Sequence, residues 1–433
     1  MACSPTPGDP VVRPQPRGLV LITADDLGWK DLSAYGLTTV STPNIDRLVH
    51  EGVAFDHAFD VVSTCSSSRA TLATGQYPHT HGVTALTHRQ PEVSLAADTP
   101  VLARSLQGDG LRTGLQGKWH ITFHDPPDAF GYAQHLPVDL DQRIRDVTPA
   151  LDFLDAVGTD RFFLELNFMQ THRDLLDRFV QVEGYEVEVD AASVPAWWGL
   201  PDWPEIREEV AGYLSNLRWM DALIGEVLDR LDALGLGDDT VVAFVSDNGP
   251  PFPGCKLTLY DRGVGTPLMV RWPAALAPRW SNELVSTVQI APTLLELMGA
   301  PPLPGAEGRS LAPLLFGEPF EPTAALFSEM EDHIDPHPAR AVRTRRFKYI
   351  RNLSDAPWGR GDGDADYVDA LGEEPDQTWD EPRVPEELYD LDTDPNERVN
   401  LVADPAFARV RDELLGLLRA QAEATADPRL DEL

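Results

Sequence analysis

Two stretches of this 433-residue chain fix most of what it can fold into: Gly18 to Ala24 (GLVLITA) and Thr240 to Ser246 (TVVAFVS). Each is a short apolar run, the second rich in β-branched residues, which is the pattern of a strand buried in a parallel sheet. The first run stops at Asp25-Asp26 and the second at Asp247-Asn248-Gly249. Open α/β sheets place their ligands beyond the C-terminal ends of the strands, so both polar pairs fall where a ligand is expected. Adjacent carboxylates repel each other, and a divalent cation between them offsets that repulsion.

The same placement recurs along the chain. Val53 to Val62 reads as a strand leading to Cys65. Arg112 to Gln116 is a short strand that delivers Gly117-Lys118-Trp119-His120, and Arg161 to Phe168 runs into Met169-Gln170-Thr171-His172. The small polar residues after Cys65 favour a helix from Ser68 to Thr74 that Gly75 ends, which puts Cys65 and Arg69 at a helix start, where an anion or a nucleophile is favoured. Thr42-Pro43 opens a helix that ends at Gly52, and Glu205 to Leu234 has a long apolar face at helical spacing. Thr266 to Trp272 reads as a strand and Ile290 to Met298 as a helix. Asp177 to Pro204 reads as a loop over the site, and Pro301 to Gly308 as a hinge or linker.

Beyond residue 320 the strands are shorter, at 324–328, 340–344, 347–351 and 387–391, followed by an amphipathic helix near 406–422. The expected fold is therefore α/β: a large mixed, mostly parallel sheet sandwiched by helices, with a smaller C-terminal antiparallel sheet plus helix. The domains implied are an arm at 1–17, a catalytic domain at 18–319 and an α+β domain at 320–433.

Seventy acidic residues against 35 basic ones give a net charge of -35, which argues against nucleic acid or an anionic membrane as partner. No apolar run is long enough for a membrane span, and the Pro-rich start has no apolar core of a secretory signal, so a cytoplasmic location is expected. Cys3, Cys65 and Cys255 are too scattered for a disulfide framework. Only four lysines occur (Lys30, Lys118, Lys256 and Lys348), and such scarcity marks places where a compact point charge is needed.

The strand ends together supply Asp25, Asp26, Asp247, Asn248, Lys118, Lys256, His120, His172, Arg69 and Cys65. Carboxylate and amide oxygens select a hard cation, Ca2+ or Mg2+, over zinc. The cationic side chains suit a tetrahedral dianion held against it, as sulfuryl or phosphoryl transfer requires. His79, His81 and His88 follow the Cys65 helix and are candidates to line the pocket, as are His333 and His337 from the second domain.

The chain resembles the sulfatases of the alkaline-phosphatase superfamily. The resemblance rests on LITADDLGW (21–29), TCSSSRATLATGQYPHTHGV (64–83), GLQGKWH (114–120), FVSDNG (244–249) and ELYDLDTDPNERVNL (387–401). SDNGPPFPGCKLTLY (246–260) and RFKYIRNL (346–353) are similar to the heparan N-sulfatase (N-sulfoglucosamine sulfohydrolase) subgroup. The resemblance implies that Cys65 is oxidised to formylglycine, whose hydrated form supplies a diol that attacks sulfur. Asp25, Asp26, Asp247, Asn248 and the oxygen at position 65 would hold Ca2+, in preference to Mg2+. Arg69 and Lys118 would polarise the diol, His120 would take its proton, Lys256 would bind the sulfate oxygens, and His172 would sit by the leaving atom; His333 is a substrate-binding candidate from its place near the start of the second domain, apart from the resemblance. The implied partners are a small sulfated substrate, a sugar by preference, and the formylglycine-generating enzyme, with a homodimer as the assembly considered.

Two motifs depart from the family pattern, at three positions. Ser67 stands where Pro or Ala is usual, and Met169 and Thr171 replace the first histidine and the proline of a His-x-Pro-His run, so that His172 matches its second histidine. Phosphodiester or phosphonate hydrolysis is the alternative activity on the same scaffold. A non-catalytic binding protein is the alternative if Cys65 stays a thiol.

Overall fold

The structure, a computed structural model, describes residues 13–138, 143–173, 179, 189–194, 200, 202–332, 336–357 and 382–433. Gly18–Ala24 forms β1, at the middle of an eight-stranded sheet. The other strands are β2 (Gly52–Phe59), β3 (Arg112–Gly117), β4 (Gln134–His135), β5 (Phe162–Phe168), β6 (Thr240–Ser246), β7 (Leu268–Arg271) and β8 (Arg279–Ser286), in the order β4-β3-β5-β1-β6-β7-β2-β8. Only β7 runs against its neighbours β6 and β2; the other pairings are parallel. Ala24 pairs with both Phe168 and Ser246, so Asp25, Met169 and Asp247 leave the sheet at one level. That register sets the site.

The residues of β1 alternate between two cores, as the two-residue period of a strand requires. Val20, Ile22 and Ala24 pack with helices α1 (Pro43–His50), α5 (Thr148–Ala156) and α6 (Pro204–Ala233), which share one face of the sheet. Leu19 and Leu21 pack on the opposite face with α4 (Leu102–Gly108), α8 (Ile290–Leu297) and α9 (Ala312–Leu315). Between these come α2 (Cys65–Thr74), α3 (Pro78–His81) and α7 (Asp261–Val264). No helix among the described residues is long and apolar enough to cross a membrane.

Several local expectations change. The helix after Thr64 begins at Cys65, not Ser68, while Gly75 ends it with φ +67°, a left-handed conformation that glycine adopts without strain. The Pro301–Gly308 stretch is no free hinge: the N–H groups of Glu307 and Gly308 donate to Gly75 O, and the Glu307 carboxylate accepts from Tyr77 N at 2.7 Å. Thr42 precedes α1 but does not cap it. Its exposed N–H groups are met from a distance by Asp221 on α6, which accepts from Asn44 N (3.0 Å), Ile45 N (2.8 Å) and Asn44 Nδ2 (3.0 Å). The 177–204 loop lies mostly outside the described residues.

A second, antiparallel sheet follows in the order β12-β11-β10-β9, from β9 (Leu326–Asp332), β10 (Pro336–Arg343), β11 (Phe347–Asn352) and β12 (Glu386–Asp390). One face, through Val342, Tyr349 and Leu388, packs on Leu414, Leu418 and Ala422 of α10 (Ala408–Ala424). The other, through Met330, Ala341 and Ile350, packs on Phe59, Val61 and Leu284 of the first sheet's region. Polar groups also cross this seam. Lys348 is buried between Asp261 (2.7 Å) and Glu397 (3.0 Å), and His79 Nδ1 lies 2.5 Å from Glu329 Oε2 on β9.

Two measurements follow from these contacts. Asp221→Ala leaves three donors without their acceptor and should cost about 1–3 kcal/mol in urea-induced unfolding. Burial opposes a charge on His79, but Glu329 outweighs it and raises the pKa. A raised folded-state pKa stabilises fully below the unfolded value, about 6.5, and that contribution is lost as pH rises through the folded value. The stability gap between the wild type and His79→Gln should therefore be widest in acid and narrow as the solution becomes alkaline.

Candidate active site

The site is built where β1 and β6 end, on a backbone that the sheet register has already brought to one level. Asp26 takes φ +63°, an uncommon conformation for a residue with a Cβ, and its N–H donates to Asp247 Oδ1 at 3.1 Å. Asp26 Oδ1 accepts from Asn248 Nδ2 at 2.7 Å. Lys256 reaches the same carboxylate at 2.9 Å, and the next residue, Leu257, also has positive φ (+69°), with its N–H donating to Ser63 O. Strained backbone thus recurs on both sides of one ion pair.

Lys118 arrives from the end of β3 and places Nζ 2.6 Å from Asp25 Oδ2. Gly117 before it has φ +106°, and a Cβ there would lie 2.1 Å from Asn167 O, so only glycine lets the strand turn into the site. From α2, Arg69 Nε lies 2.9 Å from Asp247 Oδ2, and one terminal nitrogen is 3.6 Å from Asp25 Oδ2. Cys65 Sγ is 4.0 Å from Asp26 Oδ1, and His172 Nε2 is 3.8 Å from Asp26 Oδ2. Nine of the sequence-derived residues therefore meet in one buried cluster. His120, two residues beyond Lys118 and within the electrostatic reach of Lys118, Asp25 and Arg69, pairs with His88. His333 lies outside the described residues. Of the other histidines, His79 pairs with Glu329, His337 is buried on β10, and His81 is buried against Thr71 Oγ1, burial pushing its pKa down to about 3.

The electrostatics follow from burial and like charge. Burial alone would raise Asp25, but Lys118, His172, Arg69 and Lys256 outweigh it and hold its carboxyl well below the usual range. Asp247 has the opposite balance: burial and then the Asp25 charge push it up to about 7. Burial disfavours a charged His172, yet Asp26 raises its pKa. Burial also pushes the Cys65 thiol well up, against the pull of Lys118 and Lys256. An unmodified Cys65 is therefore a protonated thiol at neutral pH, and the helix start does not make it a thiolate nucleophile.

Oxygen atoms in the cluster fit a hard cation. Asp247 Oδ2 is buried and ion-paired with Arg69 Nε at 2.9 Å, whereas Asp25 Oδ1 and Asn248 Oδ1 are buried and have no hydrogen-bond partner among the described residues. Buried oxygens left this way are costly unless something else coordinates them. Asp25, Asp26, Cys65 and His172 each bring one potential ligand atom within 4.8 Å of the others. With its carboxylates ionised and His172 neutral, the cluster opposes Asp25, Asp26 and Asp247 with Arg69, Lys118 and Lys256 and carries no net charge. A bound divalent cation would leave it doubly positive, the complement of a sulfate dianion.

Known proteins share this architecture. A family model described as Sulfatase matches residues 17–300, and one described as N-sulphoglucosamine sulphohydrolase, C-terminal, matches residues 255–364. The human N-sulphoglucosamine sulphohydrolase is 30% identical over 471 aligned positions, which cover 96% of this chain and 92% of that protein. A solved structure in complex with its substrate D-glucosamine-2-N,6-O-disulfate superposes with a TM-score of 0.73 at 19% identity, covering 97% of this chain and all of that one. A phosphonate monoester hydrolase from Silicibacter pomeroyi gives the same TM-score, 0.73, at 20% identity, covering 95% and 96% of the two chains. At these identities the two structures share the fold.

Proposed function

Since this chain belongs to the sulfatase family, we propose that it hydrolyses the N-sulfate or O-sulfate of a small sugar at position 65, with Cys65 converted to formylglycine. The observation that carries this reading is the pair of orphaned, buried oxygens on Asp25 and Asn248, which stand with the Asp247 carboxylate beside Cys65 and are faced by Arg69, Lys118 and Lys256. Asp25, Asp26, Asp247 and Asn248 would hold Ca2+, which when bound neutralises charge on the sulfate oxygens. Formylglycine, hydrated, supplies the attacking hydroxyl.

The chain's own residues bind, orient and move protons. Lys256 and Lys118 are buried point charges suited to sulfate oxygens, and Arg69 holds Asp247 and Asp25 in place. His172, whose Nε2 lies 3.8 Å from Asp26 Oδ2, is placed at the site to give a proton to the leaving nitrogen or oxygen. His120 takes a proton from position 65. The positive site lies in a chain of net charge -35, which repels a long polyanion, so a terminal sugar or small sulfate is the favoured substrate. The similarity to a relative named for N-sulphoglucosamine supports a sugar sulfamate in particular.

Mass spectrometry of the peptide spanning Cys65, from cells with an active oxidising system, should give the aldehyde mass; a thiol alone would leave the non-catalytic reading. Cys65→Ala should abolish turnover of N-sulfoglucosamine and keep the wild-type unfolding midpoint. Parallel assays on a phosphonate ester separate the alternative chemistry. Ca2+ at a hundred times its Kd should stabilise the wild type by about 2.7 kcal/mol in thermal unfolding after EDTA treatment. Asp247→Ala should lose that stabilisation; a full calcium shift in the variant would remove Asp247 from the ligand set.

A further inference from the structure

His120 has one ring partner, and it is another histidine. The His88 and His120 rings stack with centroids 5.0 Å apart and 24° between planes, and His88 Nδ1 lies 2.8 Å from His120 Nε2. At that distance a single proton sits between two ring nitrogens, one donating and the other accepting. His120 Nδ1 is buried with no protein partner, whereas His88 is exposed. The pair therefore runs from a buried ring nitrogen, two residues beyond Lys118, to an exposed ring.

The segment that carries His88 is built into the site. Thr87 N donates to the Oγ of Ser66, the residue after Cys65, at 3.3 Å, and Thr87 Oγ1 donates to His120 O at 3.2 Å. Gln90 Nε2 donates to Asp332 Oδ2 on β9 at 2.8 Å. His88 is thus held between the Cys65 helix, His120 itself and the second sheet. Burial, then Lys118 and His88, hold His120 well below its usual pKa range; Arg69 adds to this and Asp25 opposes it. Such a ring holds a proton weakly, which favours an outlet for the one it takes.

We propose that His88 is a positioning residue for His120 and its proton outlet to solvent. The proposal rests on the reading of His120 as the group that takes a proton at position 65. A proton gained at His120 Nδ1 is matched by transfer of its Nε2 proton to His88 Nδ1, and by release of the His88 Nε2 proton to water. Both rings end neutral, one proton has left the site, and the reverse path brings a proton back for the next cycle.

The test combines kinetics on N-sulfoglucosamine with NMR of 15N-histidine-labelled protein, for the wild type, His88→Ala and His88→Gln. Both variants should lose kcat by about a hundredfold with KM unchanged, since the glutamine replaces the hydrogen bond but not the relay. Added imidazole should restore kcat in His88→Ala and leave the wild type unaffected. The downfield ring N–H proton shared by the pair should disappear in His88→Ala. A variant with wild-type kcat, a change confined to KM, or the same N–H resonance in His88→Ala would overturn the proposal. If the wild type does not turn over this sugar, the substrate reading fails, and the N–H resonance decides the pairing by itself.

Discussion

Three buried carboxylates at the ends of β1 and β6 hold this structure's chemistry together, and they coexist only because three buried cations stand against them. Asp25, Asp26 and Asp247 are fully buried, as is Lys256, while Arg69 and Lys118 are 5% exposed. Removing one partner of such a pair costs about 3–5 kcal/mol, because the other is left charged and dry. The cluster is therefore a constraint on the fold as well as a site. Its members come from β1, α2, β3 and β6 and the loop after β6, so the sheet must close in one register before any of the charges is compensated. The strain at Asp26 and Leu257 belongs to the same constraint, since both are held by contacts from distant parts of the chain.

Much of this architecture was legible in the residues. The apolar runs at 18–24 and 240–246 became neighbouring parallel strands with their polar ends adjacent, and the helix that starts at Cys65 ends at Gly75 as its composition implies. What local pattern could not give was long-range. β8 (RWSNELVS) is an edge strand with polar and exposed positions and lacks the continuous apolar run that marks a buried strand. The helix α5 begins Thr148-Pro149, and a proline in its first turn is easily read as a break when it is a favoured start. Asp221, which satisfies α1 from 177 residues away, has no local signature at all.

The few lysines serve two different ends. Lys118 and Lys256 sit at the site, but Lys348 is equally buried and serves the seam between the two sheets, paired with Asp261 and Glu397. Scarcity marked positions where a compact charge is required, and that requirement is met by packing as readily as by chemistry. The three histidines after the Cys65 helix diverged in the same way: His79 and His81 became structural, and His88 turned to His120.

The burial of Cys65 has a consequence in time. Its side chain is 1% exposed, and Ser66, Ser67 and Ser68 are wholly covered. Any enzyme that modifies the thiol must therefore find it while the segment is still open. Among the groups that come to surround it, Asp247 and Lys256 lie more than 180 residues later in the chain. Synthesis from the N-terminus exposes Cys65 well before those partners exist, and folding then ends the access. On the proposed conversion of Cys65, maturation is a race against closure, and how fast the sheet assembles sets how much of the protein gains its aldehyde.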